Sequence, residues 1–228
     1  MIKNILNLGD AALYCDFGKE VNKEINTNVI KYFKNIKEKN IPEITNITPS
    51  YNKLIISFDP NKTNYSNLKK LIERIDIKNV KENPSNKINI PVCCEDKFSL
   101  DIKRLKEKSG LSDDKILEKF FNKKYFRYMT GFIAGMPFVG DLDQEIRVKR
   151  LETPRIKVPK GAVAITEQFA NIYTFESPGG WNIIGNTPLK IFDNTKEIEP
   201  NLINPGDVIT FKQITIEEYN SFNDKKLF

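Results

Sequence analysis

The chain has 228 residues, of which 39% are hydrophobic and 29% are charged, which suits a globular protein with room for two modest domains. Lys and Arg outnumber Asp and Glu by 36 to 30, but the lysines are scattered among acidic residues, so neither a nucleic-acid-binding nor a membrane-binding surface is indicated. The sequence contains no histidine, which excludes Ser-His-Asp and Cys-His catalysis within this chain.

Cysteine usage and the start of the chain narrow the class of protein further. Cys93 and Cys94 are adjacent and Cys15 stands alone, so the sequence shows neither a disulfide framework nor a CxxC pattern, and we expect no metal site. The first ten residues lack the pattern of a signal peptide, and no apolar run approaches the roughly 20 residues needed to span a bilayer. The sequence therefore predicts a cytoplasmic protein that does not insert into a membrane.

The first third of the chain has the pattern of a small α/β domain. Residues 11–17 are typical of a strand, and apolar residues then recur at helical spacing from Glu20 to Asn40. Residues 43–48 and 54–58 predict a hairpin, residues 68–75 a second helix, and residues 77–80 a last strand. The order βαββαβ predicts a ferredoxin-like domain over residues 1–81, with an antiparallel sheet that packs one face on two helices.

A polar segment, residues 82–87, predicts a linker to a second domain that covers residues 88–228. Ser99 is the predicted cap of a helix through Lys108, which Gly110 closes, and Ser112 is the predicted cap of a helix through about Asn122. From 125 to 211, short apolar or alternating runs are separated by Gly and Pro, which favours a β-barrel or sandwich. The predicted fold class is therefore α+β.

Four motifs in the second domain, in their order, resemble a known family. They are residues 131–137 (GFIAGMP), 153–159 (TPRIKVP), 177–181 (SPGGW) and 184–188 (IGNTP). With residues 9–13 (GDAAL) and 205–208 (PGDV), they resemble the allophanate hydrolase subunit 1 family. That family includes the B-type subunit of 5-oxoprolinase, the KipI-type inhibitors of a sporulation kinase, and one half of the carboxyltransferase domain of urea carboxylase.

The resemblance implies a fold, partners and a reaction. It implies a cyclophilin-like β-barrel for the second domain, which agrees with the turn-punctuated pattern. It also implies a partner, a second cyclophilin-like subunit of the allophanate hydrolase subunit 2 type (the C-type subunit of 5-oxoprolinase), and a third lactam-utilisation subunit. Such a complex uses ATP, with Mg, to open 5-oxoproline to glutamate, and the ATP is bound mainly with the partner subunit.

The same motifs supply the candidate site residues. Arg155 is the first candidate, because a guanidinium offers planar bidentate donors to a carboxylate or phosphate, and Arg150 is the second. The candidate substrate-binding residues are Gly131, Phe132, Gly135, Pro137, Tyr173, Pro178, Gly179, Gly180, Trp181 and Thr187. Glycine turns let backbone N–H groups approach an anion, but they also form the corners of β-barrels. Trp181 could either line a ligand site or anchor its turn to the core.

Two departures from the family pattern leave a second function open. Phe120 stands where the family usually has a histidine, and residues 167–169 (EQF) replace a glycine-rich turn. These changes favour a KipI-type regulator of a sensor histidine kinase, in which the same barrel offers a surface and performs no chemistry. A role related to allophanate hydrolase or urea carboxylase is the remaining alternative.

Overall fold

The structure of the chain is a computed structural model that describes residues 1–77 and 86–222. Contacts between residues divide the chain into two units, Met1–Ser85 and Asn86–Phe228. The predicted linker falls mostly outside the described residues, and its last residue, Lys87, is already part of a strand. The predicted domain bounds therefore stay a prediction. No helix in the described ranges is long and apolar enough to cross a membrane.

The described part of the first unit contains a four-stranded antiparallel sheet and two helices. In chain order its elements are β1 (Asn4–Leu8), β2 (Ala12–Asp16), α1 (Lys23–Lys39), β3 (Ile44–Pro49), β4 (Lys53–Phe58) and α2 (Tyr65–Glu73). The strand order in the sheet is β1-β2-β4-β3. Side chains alternate between buried and partly exposed along β2 and β4, as expected for strands that pack one face on helices.

Local sequence signals explain why the long helix α1 begins and ends where it does. The Asn22 side chain accepts a hydrogen bond from the backbone N–H of Ile25 at 2.9 Å and so caps the first turn. Asn40 adopts the left-handed conformation, with φ 44°, and ends the helix. The helix predicted between Glu20 and Asn40 is confirmed.

The ferredoxin-like arrangement predicted for this unit is not confirmed. The strand β1, which pairs antiparallel with β2, was not predicted from the sequence. In a split βαβ sheet that edge position would belong to the last strand of the domain, which was predicted at residues 77–80. Residues 78–80 lie outside the described residues, so the observed order is ββαββα. Four of the five β1 side chains are exposed, which explains why no alternating pattern marked this strand.

The second unit contains a closed barrel of seven strands, which confirms the predicted barrel. The strands of this unit are β5 (Lys87–Cys93), β6 (Lys124–Thr130), β7 (Pro137–Gly140), β8 (Arg155–Val158), β9 (Ala162–Thr166), β10 (Phe169–Ile172), β11 (Ser177–Gly179), β12 (Asn182–Asn186) and β13 (Val208–Ile214). The barrel order is β10-β7-β6-β13-β5-β12-β9, and β8 and β11 form a separate two-stranded sheet. The helices of this unit are α3 (Ile102–Ser109), α4 (Asp113–Phe121) and α5 (Ile216–Asn220), with a 3-10 turn at Gln144–Ile146.

The two helices predicted before the barrel are present, although one predicted cap is wrong. Ser112 caps α4 by accepting from the backbone N–H of Lys115, and Gly110 ends α3 with φ 74°. Ser99 does not cap α3, since its hydroxyl donates to the Glu95 carbonyl and the N-cap residue is Asp101. Asp101 is free to turn its carboxylate toward the barrel, where it contributes to the candidate site.

Candidate functional site

A cavity of about 400 Å³ opens on the second unit where the loop before β7 meets the sheet of β8 and β11. We call it the cleft. It is lined by Phe132, Met136, Phe138, Arg150, Pro154, Asn171, Tyr173, Pro178, Gly179, Gly180 and Trp181. The structure thus brings together seven of the predicted residues: Phe132, Arg150, Tyr173, Pro178, Gly179, Gly180 and Trp181. Its volume suits a small molecule.

The polar part of the cleft is formed by Tyr173 and Asn171, which are 2% and 1% exposed. Burial raises the pKa of the Tyr173 phenol, while hydrogen bonds from the Asn171 side chain and the Trp181 backbone N–H and the charge of Arg155 oppose the rise. The phenol is therefore neutral near pH 7. The side-chain oxygen of Asn171, Oδ1, is buried and has no hydrogen-bond partner among the residues that the structure describes. An unpaired buried acceptor is costly, so this oxygen is suited to a donor brought by a ligand.

The first glycine of the double-glycine turn is required by close packing on Tyr173. A Cβ atom on Gly179 would lie 2.7 Å from Cζ of Tyr173 and closer still to its hydroxyl oxygen. At Gly180 the nearest atom to such a Cβ is Cγ of Pro154, at an ordinary contact distance of 3.5 Å. Gly179 therefore allows the phenol to approach the turn, whereas Gly180 has room for a side chain.

Aromatic residues form the apolar part of the cleft. Trp181 packs edge-on against Phe138 with ring centroids 5.4 Å apart and also lines the cavity, so both proposed roles of Trp181 are compatible with its position. Phe132 has φ 66° and is 69% exposed. A bulky residue in the left-handed region is uncommon, and such strain clusters at ligand-binding positions. The phenyl ring of this residue lies at the surface and lines the cleft.

Three other residues of the 131–137 motif, Gly131, Gly135 and Pro137, shape the loop and do not line the cleft. Gly135 has φ 70°, and a Cβ there would overlap the ring of Phe192. A Cβ on Gly131 would overlap the end of the Met129 side chain. Pro137 is buried at the start of β7. These three residues thus support the loop that carries Phe132.

Arg155 does not line the cleft and is paired with a buried carboxylate. Its Nη2 atom donates to Oδ1 of Asp101 at 2.6 Å, and Oδ2 of Asp101 accepts the backbone N–H of Ile183 at 2.7 Å. Asp101 is 4% exposed, whereas the Arg155 side chain is 28% exposed. The second terminal nitrogen of Arg155, Nη1, is buried and has no hydrogen-bond partner in the described ranges. Arg155 therefore acts on the cleft through its charge beside Tyr173, while the exposed Arg150 lines the cleft directly.

Thr187 lies in a second cavity, of about 320 Å³, that shares only Tyr173 with the cleft. Its hydroxyl accepts the backbone N–H of Leu189 at 3.2 Å, which is a structural use. The lining of this cavity includes two lysines, Lys160 and Lys190, and Lys190 pairs with Asp193 at 2.8 Å. That ion pair lowers the pKa of the Asp193 carboxyl below its usual range. Thr187 is therefore not brought together with the other candidates.

The two departures from the family pattern do not line the cleft. Phe120 is fully buried and stacks on Phe211 with ring centroids 4.7 Å apart, so it is a core residue. Glu167 is exposed between β9 and β10 and has φ 46°, the left-handed conformation that a glycine would adopt more easily. Both positions have a structural explanation within the barrel.

The residues of the two cavities do not fit ATP with Mg well. Among the described residues, the cleft is lined by one cation, Arg150, and by no carboxylate, and the lining of the second cavity also contains no carboxylate. Mg bound to a nucleotide is usually held by one or two carboxylates as well as by phosphates. Within residues 1–77 and 86–222, no group of three or more His, Cys, Asp or Glu is placed to hold a metal ion. We therefore assign no phosphoryl-transfer step to this chain.

Two residues that matter here were not singled out from the sequence. Asn171 interrupts the buried run of β10, and a polar residue between buried neighbours is a detectable signal. Asp101 follows Ser99 by two residues at the start of the same helix, and its pairing with Arg155 brings together segments that are distant in the sequence.

Comparisons with known proteins agree with this architecture. The family described as "Carboxyltransferase domain, subdomain C and D" matches residues 3–203. The chain is 28% identical over 233 residues to the B-type subunit of 5-oxoprolinase from Bacillus subtilis (strain 168), covering 97% of each protein. It is 34% identical over 130 residues to the B-type subunit of 5-oxoprolinase from Escherichia coli O157:H7, covering 57% of this chain and 59% of that protein.

Among solved structures, TTHA0988 is similar with a TM-score of 0.80 and 27% sequence identity. The match covers 90% of this chain and 40% of that chain. The present chain therefore spans less than half the length of that protein.

Proposed function

We propose that this chain, which belongs to the family described as "Carboxyltransferase domain, subdomain C and D", is one subunit of a multi-chain 5-oxoprolinase that opens 5-oxoproline to glutamate. The observation that carries the proposal is the cleft, which combines apolar walls, a neutral polar floor and a single cation at its lining. Those features suit a small ring compound with an amide and a carboxylate. The names of the Bacillus subtilis and Escherichia coli relatives support the same reaction.

The composition of the cleft explains why the proposed enzyme needs other chains. In the part of the chain that the structure describes, its lining contains no carboxylate, cysteine or lysine that could serve as nucleophile or general base. A lactam amide is stabilised by resonance and is therefore hard to open. Phosphorylation of its carbonyl oxygen by ATP would convert that oxygen into a leaving group. In the proposed complex this chain binds and orients the ring, and the groups that carry phosphoryl transfer and hydrolysis come from the other subunits.

The proposal includes a cyclophilin-like class for the seven-stranded barrel and two partner chains. One partner is a second cyclophilin-like subunit, the C-type subunit of 5-oxoprolinase, and the other is a lactam-utilisation subunit. We also propose that ATP with Mg is bound mainly with a partner and that the complex is cytoplasmic. This division of labour is consistent with the absence of carboxylates from the lining of the cleft.

The proposal is tested by measuring ATP-dependent release of glutamate from 5-oxoproline. We expect activity when this chain is co-expressed with its two partner subunits, and none for this chain alone or without ATP. A correctly assembled but inactive complex would refute the proposal and favour the regulatory alternative. Activity of this chain alone would refute the claim that partners complete the site.

A matched pair of arginine and lysine variants connects that activity to the cleft. Arg150→Ala should raise KM for 5-oxoproline by about fivefold, the effect of losing an ion pair at an exposed position. Lys149→Ala is the control, because Lys149 is also exposed and cationic but does not line the cleft. Equal effects of the two substitutions would show that the cleft is not the binding site.

A further inference from the structure

We infer that Asn171 is the residue that recognises the amide of the ligand, by accepting the ligand N–H on its side-chain oxygen Oδ1. The inference rests on the proposed function for the identity of the ring compound, but not for the class of group recognised. Asn171 lines the cleft and is 1% exposed, and within residues 1–77 and 86–222 its Oδ1 has no hydrogen-bond partner. A ligand that supplies a donor removes the cost of that unpaired acceptor.

The surroundings of Asn171 select the kind of donor. The charge of Arg155 acts on Tyr173, which receives a hydrogen bond from Asn171, and Arg150 lines the same cavity, so a cationic donor such as an ammonium is disfavoured. A neutral donor, either an amide N–H or a hydroxyl, is compatible with an apolar ring in contact with the walls, and the ring of the proposed substrate supplies the amide N–H. The site therefore fits an amide N–H better than an amine.

The geometry of a carboxamide narrows the class of amide further. The Asn side chain has one acceptor oxygen and two Nδ2 hydrogens, and Nδ2 is already directed to the Tyr173 hydroxyl. A lactam or primary amide presents its N–H and C=O on the same edge, so it can donate to Oδ1 and accept the second Nδ2 hydrogen. A trans secondary amide, such as a peptide bond, presents the two groups on opposite edges. The expected ligands are therefore small lactams and primary amides.

The remaining lining residues suit the rest of such a ligand. Phe138, Trp181 and Pro178 offer apolar surface to the methylene groups of a ring. Arg150 is exposed and lines the same cavity, which suits a carboxylate that stays in contact with water. A cyclic amide that bears a carboxylate would satisfy each of these groups at once.

The decisive experiment compares 5-oxoproline with its lactone analogue, in which a ring oxygen replaces the N–H. Binding of both compounds is measured by titration calorimetry on the complex of this chain with its partners. The intact complex should bind 5-oxoproline at least about tenfold more tightly, because the lactone turns an acceptor toward Oδ1. Equal binding of the two compounds, or binding of neither, would overturn the inference without any substitution being made.

Two asparagine variants then assign the preference to a residue. Asn171→Leu should bring the two affinities to within about twofold, since the acceptor is removed and a similar volume is kept. Asn201→Leu is the matched control, because Asn201 also has a buried, unpaired Oδ1 but does not line the cleft. A tenfold preference that persists in Asn171→Leu, or that disappears in Asn201→Leu, would contradict the assignment.

A second pair of ligands separates this inference from the proposed function. 2-Pyrrolidinone and γ-butyrolactone differ by the same N–H and carry no carboxylate, and their binding to this chain alone can be compared by ligand-observed NMR. An Asn171-dependent preference for 2-pyrrolidinone, with no release of glutamate by the complex, would retain the amide site and reject the 5-oxoprolinase function. Glutamate release without that preference would reject the role of Asn171 and retain the function.

Discussion

Substituting the two glycines of the double-glycine turn tests whether Tyr173 is held at the cleft by close packing. A Cβ on Gly179 would lie 2.7 Å from Cζ of Tyr173, and carbon atoms pack at about 3.5–4.0 Å, so the phenol must retreat by about 1 Å. Tyr173 is 2% exposed and packs in a dense region, so we expect Gly179→Ala to cost about 1–3 kcal/mol. Gly180→Ala should stay within about 0.5 kcal/mol.

Thermal unfolding and ligand binding together decide the outcome. Gly179→Ala should lower the Tm by several degrees, at about 2–4 °C per kcal/mol for a chain of this size, and should weaken 5-oxoproline binding because the phenol leaves its place at the cleft. Gly180→Ala should change neither quantity. If Gly179→Ala kept both the Tm and the affinity of the unchanged protein, or if the two variants were equally impaired, the packing argument would be wrong.

Three further predictions concern buried groups. Asp101→Ala should reduce the free energy of unfolding, measured by urea titration, by about 2–4 kcal/mol. This loss is smaller than the loss expected on breaking a fully buried ion pair, because Arg155 is partly exposed. A loss below about 1 kcal/mol would contradict this prediction. Burial raises the pKa of Cys15 and Cys94 to about 12, so at pH 8 both thiols should react with iodoacetamide about a thousandfold more slowly in the native than in the unfolded protein. Because these pKa values are higher in the folded state, their contribution to stability is complete below pH 9 and is lost as the pH rises toward 12, which pH-dependent unfolding would detect. Asn52→Ala should cost about 2–3 kcal/mol, since its side-chain nitrogen donates to two backbone carbonyls at 2.8 and 3.0 Å, and an unchanged midpoint in urea would refute this.

Local signals in the sequence were sufficient for elements whose stability depends on nearby residues. The caps at Ser112 and Gly110 and the left-handed end at Asn40 follow from side-chain and backbone chemistry within one helical turn. The strand β1 gave no such signal, because only one of its side chains is buried and its pairing with β2 uses backbone groups that every sequence carries.

In the candidate site, too, the sequence predicted the features that depend on residue type but not those that depend on distances between segments. The glycine and proline motifs identified the loops that meet at the cleft, since turns depend on residue type. Sequence alone could not separate Gly179 from Gly180, because their difference is the distance of each from Tyr173. It likewise placed Thr187 with the other candidates, although the barrel puts this residue in a different cavity.

The sequence by itself determined the class of the fold, the position of most helices and the motifs of the family, because these depend on composition, periodicity and turn chemistry. Only the tertiary structure decided that β13 pairs in parallel with β5, more than a hundred residues earlier in the chain, and so closes the barrel. It also decided that Arg155 pairs with Asp101 while Asn171 keeps an unpaired oxygen at the cleft. Hydrogen-bond partners of this kind depend on contacts between distant segments, which have no local trace in the sequence.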